Sequence, residues 1–437
     1  MNPPASVLAC LTRLQNAGFA CFCVGGCVRD WLLGLTPHDY DLCTAATPEQ
    51  MKQLFADHQL VLAGEKHGTV GVVTDGSVIE ITTFRTESGY ADNRHPDKVE
   101  FVTDIEADLA RRDFTVNAMA WSPRQGLVDP FGGKTDLQAG ILRAVGDPAT
   151  RFREDSLRIL RGVRFAVRFG LQPEYNTLAA MKNLSCLMEN LARERVFDEL
   201  CKLLPLMTAQ DLMQYVPIFI AVIPELAPTV GFNQHNRHHA YDVFTHTAHV
   251  VEGSPSQLPV RWAALLHDIG KPDTFTLDAQ GQGHFYGHAK HSADIADSIL
   301  HRLKAPTALR EQTVQLIGLH MTKIEPEKKC VRRWLSRLGD EALDMLLTLQ
   351  EADMSSKGTG KPEESSQFSQ LRSLAAEIRA ENSCLSLKEL AVNGHDLMAL
   401  GITGPQIGMA LNRLLELVID EALPNVKTSL LQYLKEQ

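Results

Sequence analysis

Nowhere in the 437 residues do roughly 18 apolar residues run without interruption, the length that a membrane-spanning helix requires. The opening Met1-Asn2-Pro3-Pro4 has neither the basic region nor the apolar core of a secretory signal. These absences lead to the expectation of a cytoplasmic protein with no membrane partner. Cysteine is present but unorganised. The nine residues (Cys10, Cys21, Cys23, Cys27, Cys43, Cys186, Cys201, Cys330 and Cys384) are odd in number and form no C-x-x-C pair. Neither a disulfide framework nor a cysteine zinc site is expected, and reduced thiols fit better. No repeat of solenoid length is visible. An overall basic excess is also missing: the formal net charge of −10 argues mildly against a polyanionic partner. The distribution of charge reopens that possibility, because Arg143 to Arg168 carries seven arginines against only Asp147, Glu154 and Asp155.

What is present divides along the chain. In the first ~145 residues, Phe19–Val24, Val70–Thr74 and Val78–Phe84 read as strands between Gly- and Asp-rich connections. From Pro148 onward apolar residues recur three and four apart, as in Leu157, Leu160, Val163, Val167 and later Leu411, Leu414, Leu415, Val418, which predicts helices. An α+β head over 1–145, a helical segment over 146–225, a second over 226–354 and a helical tail over 371–437 are therefore expected. Between the last two, Ser355–Ser369 (SSKGTGKPEESSQFS) has the composition of a mobile connection rather than of an element.

The first constellation begins at Cys21-Phe22-Cys23-Val24-Gly25-Gly26-Cys27-Val28-Arg29-Asp30, which reads as strand, glycine pair, helix. Glycines at such a junction let backbone N–H groups approach an anion, which makes Gly26 and the following Arg29 candidate phosphate contacts. Pro37-His38-Asp39-Tyr40-Asp41 then places two carboxylates two residues apart, on one face if the segment is a strand. Like charges so close need a cation, and Mg²⁺ is the oxygen-seeking ion expected with nucleoside triphosphates. Asp39 and Asp41 are thus the candidate catalytic metal ligands for nucleotidyl transfer. Glu80, in the β-prone run Val78–Phe84, is a candidate third carboxylate, and Asp113 is the alternative.

Together these residues resemble the class II tRNA nucleotidyltransferases, the CCA-adding enzymes of bacteria, and their relatives the bacterial poly(A) polymerases. The likeness runs from about Gly18 to Leu200. It rests on G-G-x-V-R-D at Gly25–Asp30, D-x-D at Asp39–Asp41, the loop Tyr90–Pro96, the block Arg111-Arg112-Asp113-Phe114-Thr115-Val116-Asn117-Ala118, the block Glu154-Asp155-Ser156-Leu157-Arg158, and Arg193-Glu194-Arg195. The resemblance implies a polymerase-β-like head followed by an all-α neck, body and tail, with tRNA, CTP and ATP as partners. Arg112 and Asp113 suit triphosphate and ribose, at what reads as a helix start. Asp155 and Arg158, three apart on a predicted helix, would share a face. An acceptor beside a donor matches the amino group and ring nitrogen of C and A, and mismatches U and G. Arg161 and Arg164 continue the stripe toward triphosphate or RNA backbone.

A second constellation follows. His246, His267-Asp268 and Asp353, with His288 (or His291) and His320 nearby in the order, are spaced so that separate helices can each deliver a ligand. The set resembles the HD phosphohydrolases. That likeness implies metal ligands at His246, His267, Asp268 and Asp353, and His288 and His320 beside a second metal or the phosphate. It further implies hydrolysis of phosphate or 2′,3′-cyclic phosphate esters with a transition metal such as Ni²⁺, Mn²⁺ or Co²⁺. The bland counterpart is a helical scaffold that only holds RNA. Rival functions are a poly(A) polymerase, a signalling enzyme joining a nucleotidyltransferase to a hydrolase, or a non-enzymatic RNA-binding protein. A monomer and a homodimer are both compatible with the sequence.

Overall fold

The computed structural model describes residues 1–89, 98–236, 240–358, 362–381 and 383–436. The motif loop Tyr90–Pro96 and the residues Arg237, His238 and His239 lie outside the described residues. The chain forms two compact units, one of Met1–Leu206 with Gln214–Pro224 and one of Met207–Met213 with Glu225–Gln437.

The first unit contains the strands β1 (Cys21–Val24), β2 (Asp41–Thr44), β3 (Leu60–Val61), β4 (Thr69–Thr74), β5 (Ser77–Thr83), β6 (Arg85–Ser88), β7 (Lys98–Phe101), β8 (Ala120–Ser122) and β9 (Gly126–Val128). Seven of them make one sheet in the order β3-β4-β5-β2-β1-β8-β9, in which β2 and β5 run parallel and the other neighbours antiparallel. Both faces of its centre are buried. Cys21 and Cys23 enter one core with Leu11, Leu14, Leu42 and Met51, while the alternate residues Phe22 and Val24 enter another with Cys43, Phe84, Leu109 and Val145. This explains the cysteines: Cys10, Cys21, Cys23, Cys27 and Cys43 are buried free thiols serving as small apolar residues.

After the sheet, the helix Pro148–Glu154 is capped by Asp147, whose side chain accepts from Thr150 N. The helix Leu157–Phe169 follows and stops at Gly170, whose φ of 63° suits glycine. Leu157, Leu160 and Val163 are buried as the periodicity predicts, but Val167 is only half-buried, and Arg158, Ile159, Arg164 and Phe165 are buried as well.

The second unit is helical apart from the hairpin Thr276–Leu277 with Gly283–His284. Leu258–Leu266, with Trp262 wholly buried, packs against Val243–Gly253, His288–Arg302, Thr307–Leu319 and Asp340–Ser355. The expectation for Ser355–Ser369 fails here. Most of that stretch belongs to the helix Pro362–Ala380, which packs on Lys328–Leu338 and Asp340–Ser355. Phe368 and Leu371 are buried, so two apolar residues per turn outweigh the polar composition around them. The last residues gather their own small core, with Leu397, Leu414 and Leu430 fully buried. Among the described residues no helix is long and apolar enough to cross a membrane.

Candidate active sites

In the first unit, β1 leads into Gly25, whose φ of 70° and ψ of −124° few side chains tolerate, and the helix Gly26–Leu32 starts immediately. A Cβ on Gly25 would sit 2.8 Å from Arg112 Nη1, so the glycine also admits that guanidinium. Asp41 is the first residue of β2, whereas Asp39 lies two residues ahead of the strand, in the loop. The pleat therefore fixes one of the two carboxylates and not both. Pairing of Leu42 with Ile81 sets Asp41 beside Glu80 across two parallel strands. Although Asp41 keeps more than a third of its surface open, the protein around its carboxyl pushes its pKa up; Arg112 opposes this, and Glu80 and Asp39 add to it.

The alternative third carboxylate, Asp113, is committed elsewhere. Its Oδ2 accepts from Arg161 Nε and Nη2 at 2.9 and 2.7 Å, and its Oδ1 from Phe114 N and Asn117 Nδ2. Burial would raise its pKa, but Arg161, by charge and hydrogen bond, brings it down to about 2. The helix expected to start at this block is only the 3₁₀ turn Thr115–Asn117, and Asp113 does not cap it.

A cavity of about 450 Å³ opens above these groups. Arg29, Arg111, Arg112, Arg158, Arg161, Arg164, Arg168 and Arg195 line it, against the acids Asp41, Asp113 and Asp155; Gly25 and Gly26 form part of its floor. Several arginines already hold partners. Arg29 donates to Asp30 Oδ1 and to Asn117 Oδ1, and its guanidinium lies 4.2 Å from the Phe169 ring centre. Arg164 donates to Glu199 Oε2 at 2.7 Å, both side chains being nearly buried. Arg112 reaches Asp108 at 3.4 Å, and its buried Nε has no hydrogen-bond partner. Arg168 lies over Phe169 at 5.1 Å.

Asp155 and Arg158 both line the cavity, but not from one helix face. Asp155 is the extended residue that ends the helix Pro148–Glu154, at φ −140° and ψ 102°. Its Oδ1 accepts from Leu157 N and its Oδ2 from Arg195 Nη2, a contact the sequence pattern does not reveal. Arg158 donates instead to Glu154 Oε2 and to the carbonyls of Arg151 and Arg111. The i, i+3 reading fails because an aspartate next to Ser156 and the start of a new helix satisfies a free N–H better than it continues a helix. Arg111, Asn117, Leu157, Phe165, Arg168 and Arg195 complete the lining; all but Phe165 lie in the motif blocks or the arginine stripe, and Phe165 carried no signal.

In the second unit, five helices or their ends deliver His246, His267, Asp268, His288, His320 and Asp353, all buried. His246, His267 and Asp268 form one set whose ligand atoms lie within 4.8 Å of one another; Asp268, His288 and His320 form another. His246 Nε2 lies 2.9 Å from Asp353 Oδ1, His267 Nε2 3.2 Å from Asp268 Oδ2 and His288 Nε2 3.4 Å from Asp268 Oδ1. His288 rather than His291 belongs to the cluster, since His291 faces Asp273 and is exposed on its side chain.

The tautomers follow from the outer contacts. Nδ1 of His267, His288 and His320 faces the carbonyl of Ala264, Phe285 and Ile317 at 2.9, 2.7 and 2.6 Å. A carbonyl only accepts, so each Nδ1 carries the hydrogen and neutral His288 and His320 present an Nε2 lone pair inward; burial would lower the pKa of His267, but the adjoining Asp268 carboxylate raises it above the ordinary value. Nε2 of His288 and of His320 is buried without a hydrogen-bond partner, whereas Asp268 Oδ2 is within ion-pair distance of His267 Nε2 and Lys271 Nζ. Burial lowers the pKa of His288, and that of His320 to about 4, which keeps both neutral. Inward lone pairs around a carboxylate are the donor set of a divalent transition metal. A cavity of about 200 Å³ reaches Asp268, His288 and Asp353, and Lys271 and Lys357 also line it. Lys271 Nζ lies 2.7 Å from Asp268 Oδ2. Neither lysine was singled out from sequence, although Lys271 follows Asp268 at i+3.

Comparison with known proteins gives three family matches. Residues 21–143 match a model described as "Poly A polymerase head domain", residues 170–228 one described as "Probable RNA and SrmB- binding site of polymerase A", and residues 280–434 one for a second tRNA nucleotidyltransferase domain. A CCA-adding enzyme of Streptococcus sanguinis is 33% identical over 432 residues, covering 98% of this chain and 96% of the relative. One of Ligilactobacillus salivarius is 45% identical over 235 residues, covering 52% of this chain and 58% of the relative. Among solved structures, a Bacillus stearothermophilus CCA-adding enzyme in complex with CTP superposes with a TM-score of 0.73 at 27% identity, covering 100% of this chain and 98% of that one.

Proposed function

From the membership of this chain in the CCA-adding enzyme family, we propose that it adds C, C and A to the 3′ end of tRNA from CTP and ATP without a nucleic-acid template. The observation that carries the reading is the cavity in which Asp41, the glycine turn and a wall of arginines face one space. Arg112 and Arg168 hold the triphosphate, since an anion of about four charges needs several guanidinium donors. Asp39, Asp41 and Glu80 would hold Mg²⁺, whose hard-oxygen preference they match; when bound it supplies the charge that favours attack by the 3′-hydroxyl and departure of pyrophosphate. Arg161 fixes the ionised state and direction of Asp113, which leaves that carboxylate facing the cavity beside the ribose position.

Base selection belongs to Asp155 and Arg158. Arg195 and Leu157 N use part of the acceptor capacity of Asp155 and aim the rest into the cavity, where it accepts from the amino group of C or A. Arg158, anchored by Glu154, retains free N–H donors for the ring nitrogen. The purified protein, given tRNA lacking its terminus and labelled CTP, ATP or UTP, should incorporate CTP and then ATP and exclude UTP. Incorporation of ATP alone would make it a poly(A) polymerase.

The second unit adds a phosphohydrolase activity of the HD type. His246, His267, Asp268 and Asp353 would hold a transition metal such as Ni²⁺ or Mn²⁺, which when bound polarises a phosphoryl group. Lys271 and Lys357 neutralise the phosphate, and the buried walls exclude bulk water. Removal of a 2′,3′-cyclic phosphate restores the hydroxyl that the first site extends.

A further inference from the structure

One row of residues crosses the sheet of the first unit through two of its candidate metal ligands. The register sets Val61 of β3 opposite Gly71 of β4, and Gly71 opposite Glu80 of β5. Because Leu42 pairs with Ile81, Asp41 of β2 comes next in the row. Residues paired across strands share a sheet face, so Val61, Gly71, Glu80 and Asp41 lie on one side, joined by Val78 two residues before Glu80.

The other face of these strands is core, where Val70, Val72, Ile79 and Ile81 are buried. The face with the carboxylates is open: Val61 is 41% exposed, Val78 51% exposed, and Glu80 is exposed beside them. Gly71 is buried beneath the two valines. A Cβ on it would lie 2.8 Å from Val78 Cγ1 and 3.1 Å from Val61 Cβ, so the valines close over the glycine and make one low apolar surface. Glycine inside a strand is a place where another chain or a ligand comes close. No lysine or arginine occurs in β3, β4 or β5, so nothing on this surface draws a phosphate.

Charge therefore divides the two sides of Asp41. Toward β1 lies the arginine-walled cavity, which Asp41 lines and Glu80, Val61 and Val78 do not. Toward β5 lie Glu80 and the valines. In nucleotidyl transfer the acceptor's 3′-oxygen bonds to the α-phosphorus as the bond to pyrophosphate breaks, with the attacking and leaving oxygens in line. Pyrophosphate belongs among the arginines, which puts the attacking hydroxyl on the side of Glu80. Strand spacing sets Gly71 about 5 Å and Val61 about 10 Å beyond Glu80, within reach of the sugar and base that carry that hydroxyl.

We infer that Val61 and Val78, closed over Gly71, form a shelf on which the last nucleotide of the tRNA acceptor end rests. Neither valine touches the reacting atoms; both hold the nucleotide that carries the hydroxyl. Their side chains offer no hydrogen-bonding group, so the shelf takes whichever base ends the acceptor, as an end that changes with each addition requires. The inference rests on the nucleotidyltransferase reading of the first unit.

The test uses the full-length protein and tRNA lacking its terminus, with 4-thiouridine as the last residue. Irradiation should join that residue to Val61, Val78 or their immediate neighbours, as read by mass spectrometry of the digested adduct. In steady-state addition of labelled CTP, the Val61→Ala, Val78→Ala double variant should raise KM for tRNA about tenfold, the order expected for losing several partly covered methyl groups. KM for CTP should stay at the wild-type value, and Val78→Ile, which keeps the apolar surface, should retain both constants. A cross-link confined to residues 111–168, or an equal rise in KM for tRNA and CTP, overturns the shelf. Wild-type protein that cross-links at these valines yet adds no nucleotide would instead overturn the nucleotidyltransferase reading and leave the shelf standing as an RNA contact.

Discussion

The two sites solve the problem of gathering like charges in opposite ways. In the first unit the acids Asp39, Asp41 and Glu80 sit at exposed positions on a sheet and its loop, and the cavity beyond them is walled by arginines. In the second, six ligand residues are buried, and three histidines are locked by backbone carbonyls so that their Nε2 atoms turn inward. An exposed carboxylate group can wait in water for an ion that arrives with a triphosphate. On the proposed phosphohydrolase reading, buried imidazole lone pairs are costly without an ion, and the helical unit would hold one between them. On the proposed readings, preorganisation serves a metal in one unit and an anion in the other.

The largest expected effect breaks the first site alone. Asp41→Ala should reduce incorporation of labelled CTP into tRNA lacking its terminus by about 1,000-fold or more, because losing several kcal/mol of charge stabilisation costs a factor of ten per ~1.4 kcal/mol. Hydrolysis of 2′,3′-cyclic phosphate should persist. Near-normal incorporation would remove Asp41 from the chemistry.

The reciprocal change is Asp268→Ala, which takes away a carboxylate shared by both histidine sets. Hydrolysis should fall at least about 100-fold, since even outer partners of metal ligands cost 10- to 100-fold. Addition to a tRNA with a free 3′-hydroxyl should stay near wild type. If both activities fall together in a folded protein, the comparison of two independent centres is wrong.

A third substitution sharpens the account of the arginine wall. Arg164 was expected among the nucleotide contacts, yet its guanidinium is paired with Glu199 in a nearly buried bridge. Arg164→Met strands that carboxylate and should cost about 3 kcal/mol in urea unfolding. If stability is unchanged and only KM for CTP rises, Arg164 contacts substrate after all. The smallest effect belongs to Arg168, which has no ion pair among the described residues. Arg168→Met should weaken triphosphate binding by about tenfold, the worth of one charge-assisted hydrogen bond, and move the unfolding midpoint very little.

Much of both sites was legible because the signals are local. A glycine pair between strand and helix and a His-Asp doublet at a helix end each sit within a few residues and each reaches its cavity or cluster in the fold, while of the Asp-x-Asp only Asp41 lines the cavity. The Ser355–Ser369 stretch shows where composition misleads: its second half joins the helix Pro362–Ala380, which packs on two other helices and buries Phe368, and no count of Ser, Gly and Glu can anticipate that. Asp155 shows the same for helix phase. Its pairing with Arg158 depended on an unbroken helix, and one extended residue between two helices gave it to Arg195, forty positions away.

By itself, then, the sequence determined the α+β head ahead of helices, the His and Asp residues that gather in the second unit and the arginines carried by Leu157–Phe169. Periodicity and turn chemistry act over one or two turns of chain, and the pattern carries them directly. Only the tertiary structure decided which acid stands beside Asp41, that His288 and not His291 joins the cluster, and which arginines are spent on Asp113 and Glu199 rather than left for an anion. Those outcomes depend on strand register and on how each helix is rotated against distant neighbours, and a charged side chain takes whichever partner that packing brings within about 3 Å, at whatever separation in sequence.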